Sequence, residues 1–169
     1  NDWGVFTNPS PNNVNSNALN GYVDKPLFSN EAGSYNTPVT LAISCPYPNS
    51  TIYYTLNGNT PNQGSNIYTE PIVLNETKVV KAIAVENNDE GYHSSFMEYG
   101  TFFISENFTL PIMSVSGNQI DNLIDNGNDN IEPWGTFEYY KDGILADKAT
   151  GEFNEHGNDS WGYPQRGFD

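Results

Sequence analysis

Thr51-Ile52-Tyr53-Tyr54-Thr55-Leu56 is followed at once by Asn57-Gly58. β-Branched and aromatic side chains fit a half-buried pleated surface. Asn-Gly tolerates the positive φ angles of a tight turn. The stretch therefore reads as a strand with its own stop signal. Upstream, Val39, Leu41, Ile43 and Cys45 alternate with Thr40, Ala42 and Ser44, which is the period of a strand. Pro46-Tyr47-Pro48-Asn49-Ser50 makes the turn between these two strands. Downstream come short strands near Ile67-Tyr68 and Ile72-Val73-Leu74. Val79-Val80-Lys81-Ala82-Ile83-Ala84-Val85 is the longest apolar run and predicts a central strand. Met97 to Ile104 closes the set. Six or seven short strands with regularly spaced turns between residues 25 and 105, and no sustained helical period, predict a β-sandwich.

The flanks read differently. Residues 1–24 hold one short apolar run, Trp3-Gly4-Val5-Phe6, and then Asn8-Pro9-Ser10-Pro11-Asn12-Asn13, which continues neither a sheet nor a helix. They are expected to be the end of an upstream domain followed by a linker. Residues 106–169 begin a second unit. Leu110 to Val115 is strand-like, and Asn118 to Ile124 is long enough for one helical turn. Asp125-Asn126-Gly127-Asn128-Asp129-Asn130 is a polar loop. Trp134 to Tyr140 is a strand, Lys141-Asp142-Gly143 a hairpin turn and Ile144 to Asp147 the return strand. The expected architecture is all-β, a sandwich followed by an incomplete unit that is β-rich or α+β. Neither end has the composition of a leader or tail, so both are expected to be cuts through a longer polypeptide.

Composition narrows the function. The chain has 6 basic against 21 acidic residues, a formal net charge of −15. Such a field repels nucleic-acid phosphates and anionic membranes, and favours cations or cationic partners. No apolar stretch approaches the roughly 18 residues of a membrane span. Aromatic residues make up 14% of the chain, too many for simple disorder. The single cysteine, Cys45, allows no internal disulfide and has no basic neighbour in sequence to activate it, so it is expected to be a small buried hydrophobe.

No catalytic residues stand out. Asp121, Asp125, Asp129 and Glu132 are candidate calcium ligands, because closely spaced carboxylates and amides present oxygen to a hard cation. They lack EF-hand register, and a solvated turn is the competing reading. The aromatic residues Tyr53, Tyr54, Tyr68, Tyr92, Trp134, Tyr139, Tyr140, Trp161 and Tyr163 include candidates for stacking on sugar rings. Alternation puts Tyr53 and Tyr54 on opposite faces, so at least one of them belongs to the core. His93 and His156 lack the further ligands that a zinc site needs.

The middle region resembles the Ig-like domain at the C-terminus of chitobiases and bacterial hexosaminidases, related to fibronectin-type accessory modules. The carriers are Pro26 to Ser29, Gly33, Tyr35, Val39 to Ile43, Thr51 to Gly58, Thr60-Pro61, Tyr68, Pro71-Ile72, Leu74, Val80 to Ala84 and Ser95. Asn57 stands where that family more often has Asp. Residues 110–169 resemble the start of a spore-coat CotH-type domain, an atypical kinase family. The resemblance rests on Leu110 to Val115, Pro133, Phe137 to Tyr140, Asp142-Gly143, Gly157 to Ser160 and Pro164 to Phe168. It implies that Arg166, Asn158 and Ser160 face nucleotide phosphates, with Arg166 at a position usually held by Lys. The acidic residues of that family's catalytic centre lie beyond Asp169. Residues 2–15, with Trp3, Val5-Phe6, Pro9 and Pro11, resemble the end of a bacterial lamin-tail-like domain.

This series implies a large secreted or cell-surface bacterial protein. The segment is then expected to be a non-catalytic spacer or interaction module. Its partners would be the neighbouring domains of the same polypeptide, cell-surface proteins or glycans. The alternatives are the N-terminal part of a CotH-like secretory kinase and a carbohydrate-binding accessory module.

Overall fold

A computed structural model describes residues 5–6, 18–124 and 131–154. Eleven strands lie before residue 105: β1 (Gly21–Tyr22), β2 (Leu27–Phe28), β3 (Gly33–Tyr35), β4 (Val39–Leu41), β5 (Ile43–Ser44), β6 (Ser50–Thr55), β7 (Asn66–Ile67), β8 (Ile72–Leu74), β9 (Lys78–Glu86), β10 (Tyr92–His93) and β11 (Glu98–Ile104). After them come β12 (Ile112–Ser116), the one-turn helix α1 (Ile120–Ile124), β13 (Trp134–Lys141) and β14 (Ile144–Glu152).

The protein is an all-β sandwich extended by a meander. One layer is an eight-stranded sheet in the order β12-β13-β14-β3-β11-β9-β6-β7. The facing layer is made of the pairs β2–β5 and β4–β8. β4 and β5 are one segment that changes partner across Ala42, because Leu41 pairs with Ile72 and Ile43 with Phe28. The core forms between the layers. Val39, Leu41, Ile43 and Leu74 come from the small layer, and Val80, Ala82, Phe102 and Ile104 from the large one. The alternation in Val39–Ile43 therefore predicts the burial correctly. β9 is central, as its apolar run suggests, with β11 on one side and β6 on the other. Tyr54 packs against this core, edge-on to Tyr68.

Several local expectations shift. The segment read as a linker carries β1, which pairs in parallel with β10, so residues from Leu19 onward are tied to the sandwich. Cys45 is half-buried rather than buried, and its thiol lies 3.3 Å from the Asp24 carbonyl. The return strand after Gly143 runs on to Glu152, well past Asp147. Its residues there carry no strong period because one face turns to solvent and the other to a polar junction. The β13–β14 turn takes positive φ at Asp142 and Gly143, as a two-residue hairpin requires.

Beyond residue 106, β12, β13 and β14 form an antiparallel meander. Its outer face carries a second small core, in which Ile120, Leu123 and Phe153 pack on Val115, Ile131 and Phe137. Its inner face meets the sandwich.

Candidate functional site: the junction of sandwich and meander

The junction begins with a shortfall of backbone pairing. β3 covers β11 only from Phe102 to Ile104, so the edge of β11 at Tyr99 to Thr101 has no strand beside it. Unpaired backbone groups in such a place are costly when they are buried. Side chains from the meander take the place of the missing strand. The Thr101 N–H donates to Glu138 Oε1 (3.0 Å), and the Tyr140 hydroxyl lies 3.0 Å from the same nitrogen and 3.2 Å from the Thr101 carbonyl oxygen. The Lys148 ammonium donates to the Tyr99 carbonyl at 2.9 Å.

Around this cap lies a largely buried polar network. Glu138, Tyr140, Thr136 and Lys81 are all 0% exposed. Thr101 Oγ1 donates to Glu138 Oε2 (2.7 Å), and the Tyr140 hydroxyl donates to Oε1 (2.5 Å). With the Thr101 N–H, the Glu138 carboxylate accepts three hydrogen bonds, the kind of satisfaction a buried charge needs. Ser114 Oγ and Thr101 Oγ1 are 2.8 Å apart, as are Ser116 Oγ and Thr136 Oγ1. Lys81, from β9, donates to the Ser116 carbonyl at 3.0 Å. Among the described residues no carboxylate lies within ion-pair distance of Lys81. Burial pushes the Lys81 amine down to about 8, and the longer-range pull of Glu138 offsets only part of that. Burial, then the charge and the hydrogen bond of Glu138, raise the Tyr140 phenol strongly. Burial and the nearby carboxylates Glu138, Glu98 and Asp147 push Tyr99 up to about 12.

Three further contacts fix the meander. The Asn57-Gly58 turn ends against β12. A Cβ on Gly58, whose φ is +78°, would lie 2.8 Å from the Ser116 Cβ, and the Thr60 N–H donates to Asn118 Oδ1 at 2.7 Å. Gly33 and Gly143 meet backbone to backbone, with the Ser34 N–H on the Gly143 carbonyl at 2.9 Å. Glu98 sits between two lysines, bonded to Lys25 and, at 2.6 Å, to Lys148, whose ammonium is 4.5 Å from the Tyr99 ring centroid. Burial would raise the Glu98 carboxyl, but the two lysines outweigh it and hold it below the usual carboxylate range. Beside this cluster a cleft of about 410 Å³ opens between Leu27, Phe28, Ala32, Tyr99, Leu145 and Lys148.

The residues singled out from sequence lie elsewhere. Asp121, in α1, and Glu132, before β13, are exposed, while Asp125 and Asp129 lie outside the described residues. Among the described residues no group of three or more His, Cys, Asp or Glu comes together as a metal site. Arg166, Asn158 and Ser160 also lie outside the described residues, as do His156, Trp161 and Tyr163. Among the sugar-stacking candidates Tyr140 is buried in the junction, Tyr92 tilts against Tyr47, and Trp134 is exposed. Among the described residues the most open aromatic stack is one the sequence did not mark. Tyr22 (45% exposed) and Phe96 (64% exposed) stack at 4.6 Å, with His93 on Tyr22 at 5.4 Å.

The fold and this junction define a β-sandwich module with a buried polar joint to the strands that follow it. Residues 30–96 match the family model of the chitobiase/beta-hexosaminidase C-terminal domain, a non-catalytic accessory domain family of carbohydrate-active proteins. The match lies wholly within the sandwich, and it lends no support to a CotH-type domain in the residues that follow. No curated protein and no solved structure matches the chain. Among the described residues no helix is long and apolar enough to cross a membrane.

Proposed function

We propose that this polypeptide is a rigid connector in a secreted or cell-surface bacterial protein, a non-catalytic module that fixes the angle between the sandwich and whatever the meander leads into. The observation that carries the reading is the buried Glu138–Thr101–Tyr140 network, which joins residues of β11 to residues of β13 where a flexible linker would otherwise allow free hinging. Interfaces between independent neighbours are usually wetter and more mobile. Spin labels at Glu70→Cys in the sandwich and Ala146→Cys in the meander, in a Cys45→Ser background, test it by the distribution of distances between them. The expected result is a single narrow distribution that Glu138→Ala broadens. A broad distribution in the parent protein would overturn the reading.

A second reading, a glycan-binding accessory module, is favoured by the exposed Phe96–Tyr22 stack. An open aromatic face suits the apolar face of a neutral pyranose, and the net charge of −15 disfavours anionic polymers. Retention on chitin or cellulose that is lost in Phe96→Ala supports it, and no retention of the folded protein refutes it. The kinase reading of a longer chain rests on resemblance at Arg166, Asn158 and Ser160. Its test is ATP binding by the longer protein, lost in Arg166→Ala.

A further inference from the structure

Lys81 is a surface residue of the sandwich that the meander has covered. On β9 its neighbours Val80 and Ala82 point into the core between the layers, so Lys81 points to the opposite face, where β12 closes over it. An ammonium carries three donors. Among the described residues one acceptor is in reach, the Ser116 carbonyl, and no carboxylate is paired with it. A neutral amine would suit this site better than a cation does.

We propose that the junction is a proton-operated latch, in which the meander is held most firmly to the sandwich when Lys81 has released its proton. The inference rests on the rigid-connector reading. The groups around Lys81 come from five other strands. β13 contributes the Glu138 carboxylate and Tyr140. β11 contributes Tyr99, Lys81's partner across the sheet. β12 contributes the neutral Ser114 and Ser116. β6 contributes Thr55, its partner on the other side, and Tyr53 beyond it. β14 contributes Lys148, already bound to Glu98 and to the Tyr99 carbonyl. Tyr99 and Tyr140 are both raised, so they remain neutral where Lys81 changes charge.

The direction follows from linkage. In the closed junction Lys81 loses its proton near pH 8. With the meander detached it is solvated and loses it near its ordinary value of about 10.5. Below the lower value both states are charged and pH has no effect. Above it the open state binds the extra proton, so rising pH favours closure, up to tenfold per unit. Between pH 7.5 and 9.5 the closed-to-open ratio should rise about twentyfold.

Urea titrations of the protein at these two pH values, followed through the methyl NMR signals of Ile112 and Leu145 in the meander and Leu41 and Leu74 in the core, read this change. The expected result is one unfolding constant, shared by the meander and core signals, that is about twentyfold smaller at pH 9.5, with the difference gone in Lys81→Met. A parent protein with equal constants at both pH values, or the same difference persisting in Lys81→Met, would overturn the latch. Should Lys81→Met not fold, the 13Cε titration of Lys81 in the parent protein decides the matter: a midpoint near pH 8 supports the latch, and one near the ordinary lysine value overturns it. Loss of the meander signals without urea at both pH values, with the core signals intact, would instead refute the rigid connector itself.

Discussion

Glu138 lies in the run Phe137-Glu138-Tyr139-Tyr140, where nothing in the sequence separates it from a solvent-facing strand carboxylate. Its burial is a tertiary fact, created when β13 meets the open edge of β11. The same is true of Lys81, which alternation places on the outer face of the sandwich and only the meander buries. Glu138→Ala should therefore be severe at neutral pH. It strips the acceptor from the Thr101 N–H, the Thr101 hydroxyl and the Tyr140 hydroxyl, and removes the nearest counter-charge to Lys81. A loss of about 3 kcal/mol in urea unfolding is expected, and Glu138→Gln, which keeps one acceptor, should lose less. Stability should also depend on alkaline pH in two opposed ways. Lys81 is lowered, so the unfolded chain holds its proton longer and stability rises from about pH 8 towards the ordinary lysine value. Tyr99 and Tyr140 are raised, so the unfolded chain releases their protons first, and stability falls as pH climbs past about 10. The urea midpoint measured from pH 6 to 11 should peak at about pH 9 to 10. A monotonic fall across that range would contradict the burial of Lys81.

At the scale of elements, the strands were readable wherever one face is apolar and the other polar. Val39–Ile43 shows that alternation, the Val79–Val85 run is apolar as a central strand requires, and both are strands in the fold. β2 and β10 are two residues long, too short for any period to emerge. The acidic loop drew attention as a cation site because composition is visible in sequence and spatial convergence is not. The polar cluster that forms the junction is drawn from β9, β11, β12 and β13, separated by up to some sixty residues, and no local motif marks it. One local signal was available: Gly33 and Gly143, which sit at a joint between elements. Gly33 has φ +150°, and a Cβ there would lie 2.6 Å from the Gly143 carbonyl oxygen. Gly33→Ala should cost about 2 kcal/mol or more. The loss should appear first as faster amide exchange at the β3–β14 contact, ahead of any change in β9. Gly135→Ala makes the parallel test on the outer face, since its Cβ would lie 2.9 Å from Ile120 Cδ1 and 3.0 Å from Phe153 Cε2. It should unseat α1 and, because the Ser116 carbonyl that accepts from Lys81 would also lie 2.9 Å from the new Cβ, disturb the edge of the inner-face network, lowering stability by about 1–3 kcal/mol.

For the whole molecule, one sheet of eight strands runs from β7 through the sandwich into the meander, and the matched family segment, residues 30–96, ends before the part that covers Lys81 and caps β11. The connector account requires these parts to stand or fall together. The most direct test is hydrogen exchange by mass spectrometry at pH 7 in increasing urea, comparing peptides that span β9 with peptides that span β13. The account predicts that both lose protection at the same urea concentration, in one cooperative step. Loss of protection in β13 at lower urea, with β9 still protected, would show two independently folding parts and contradict it.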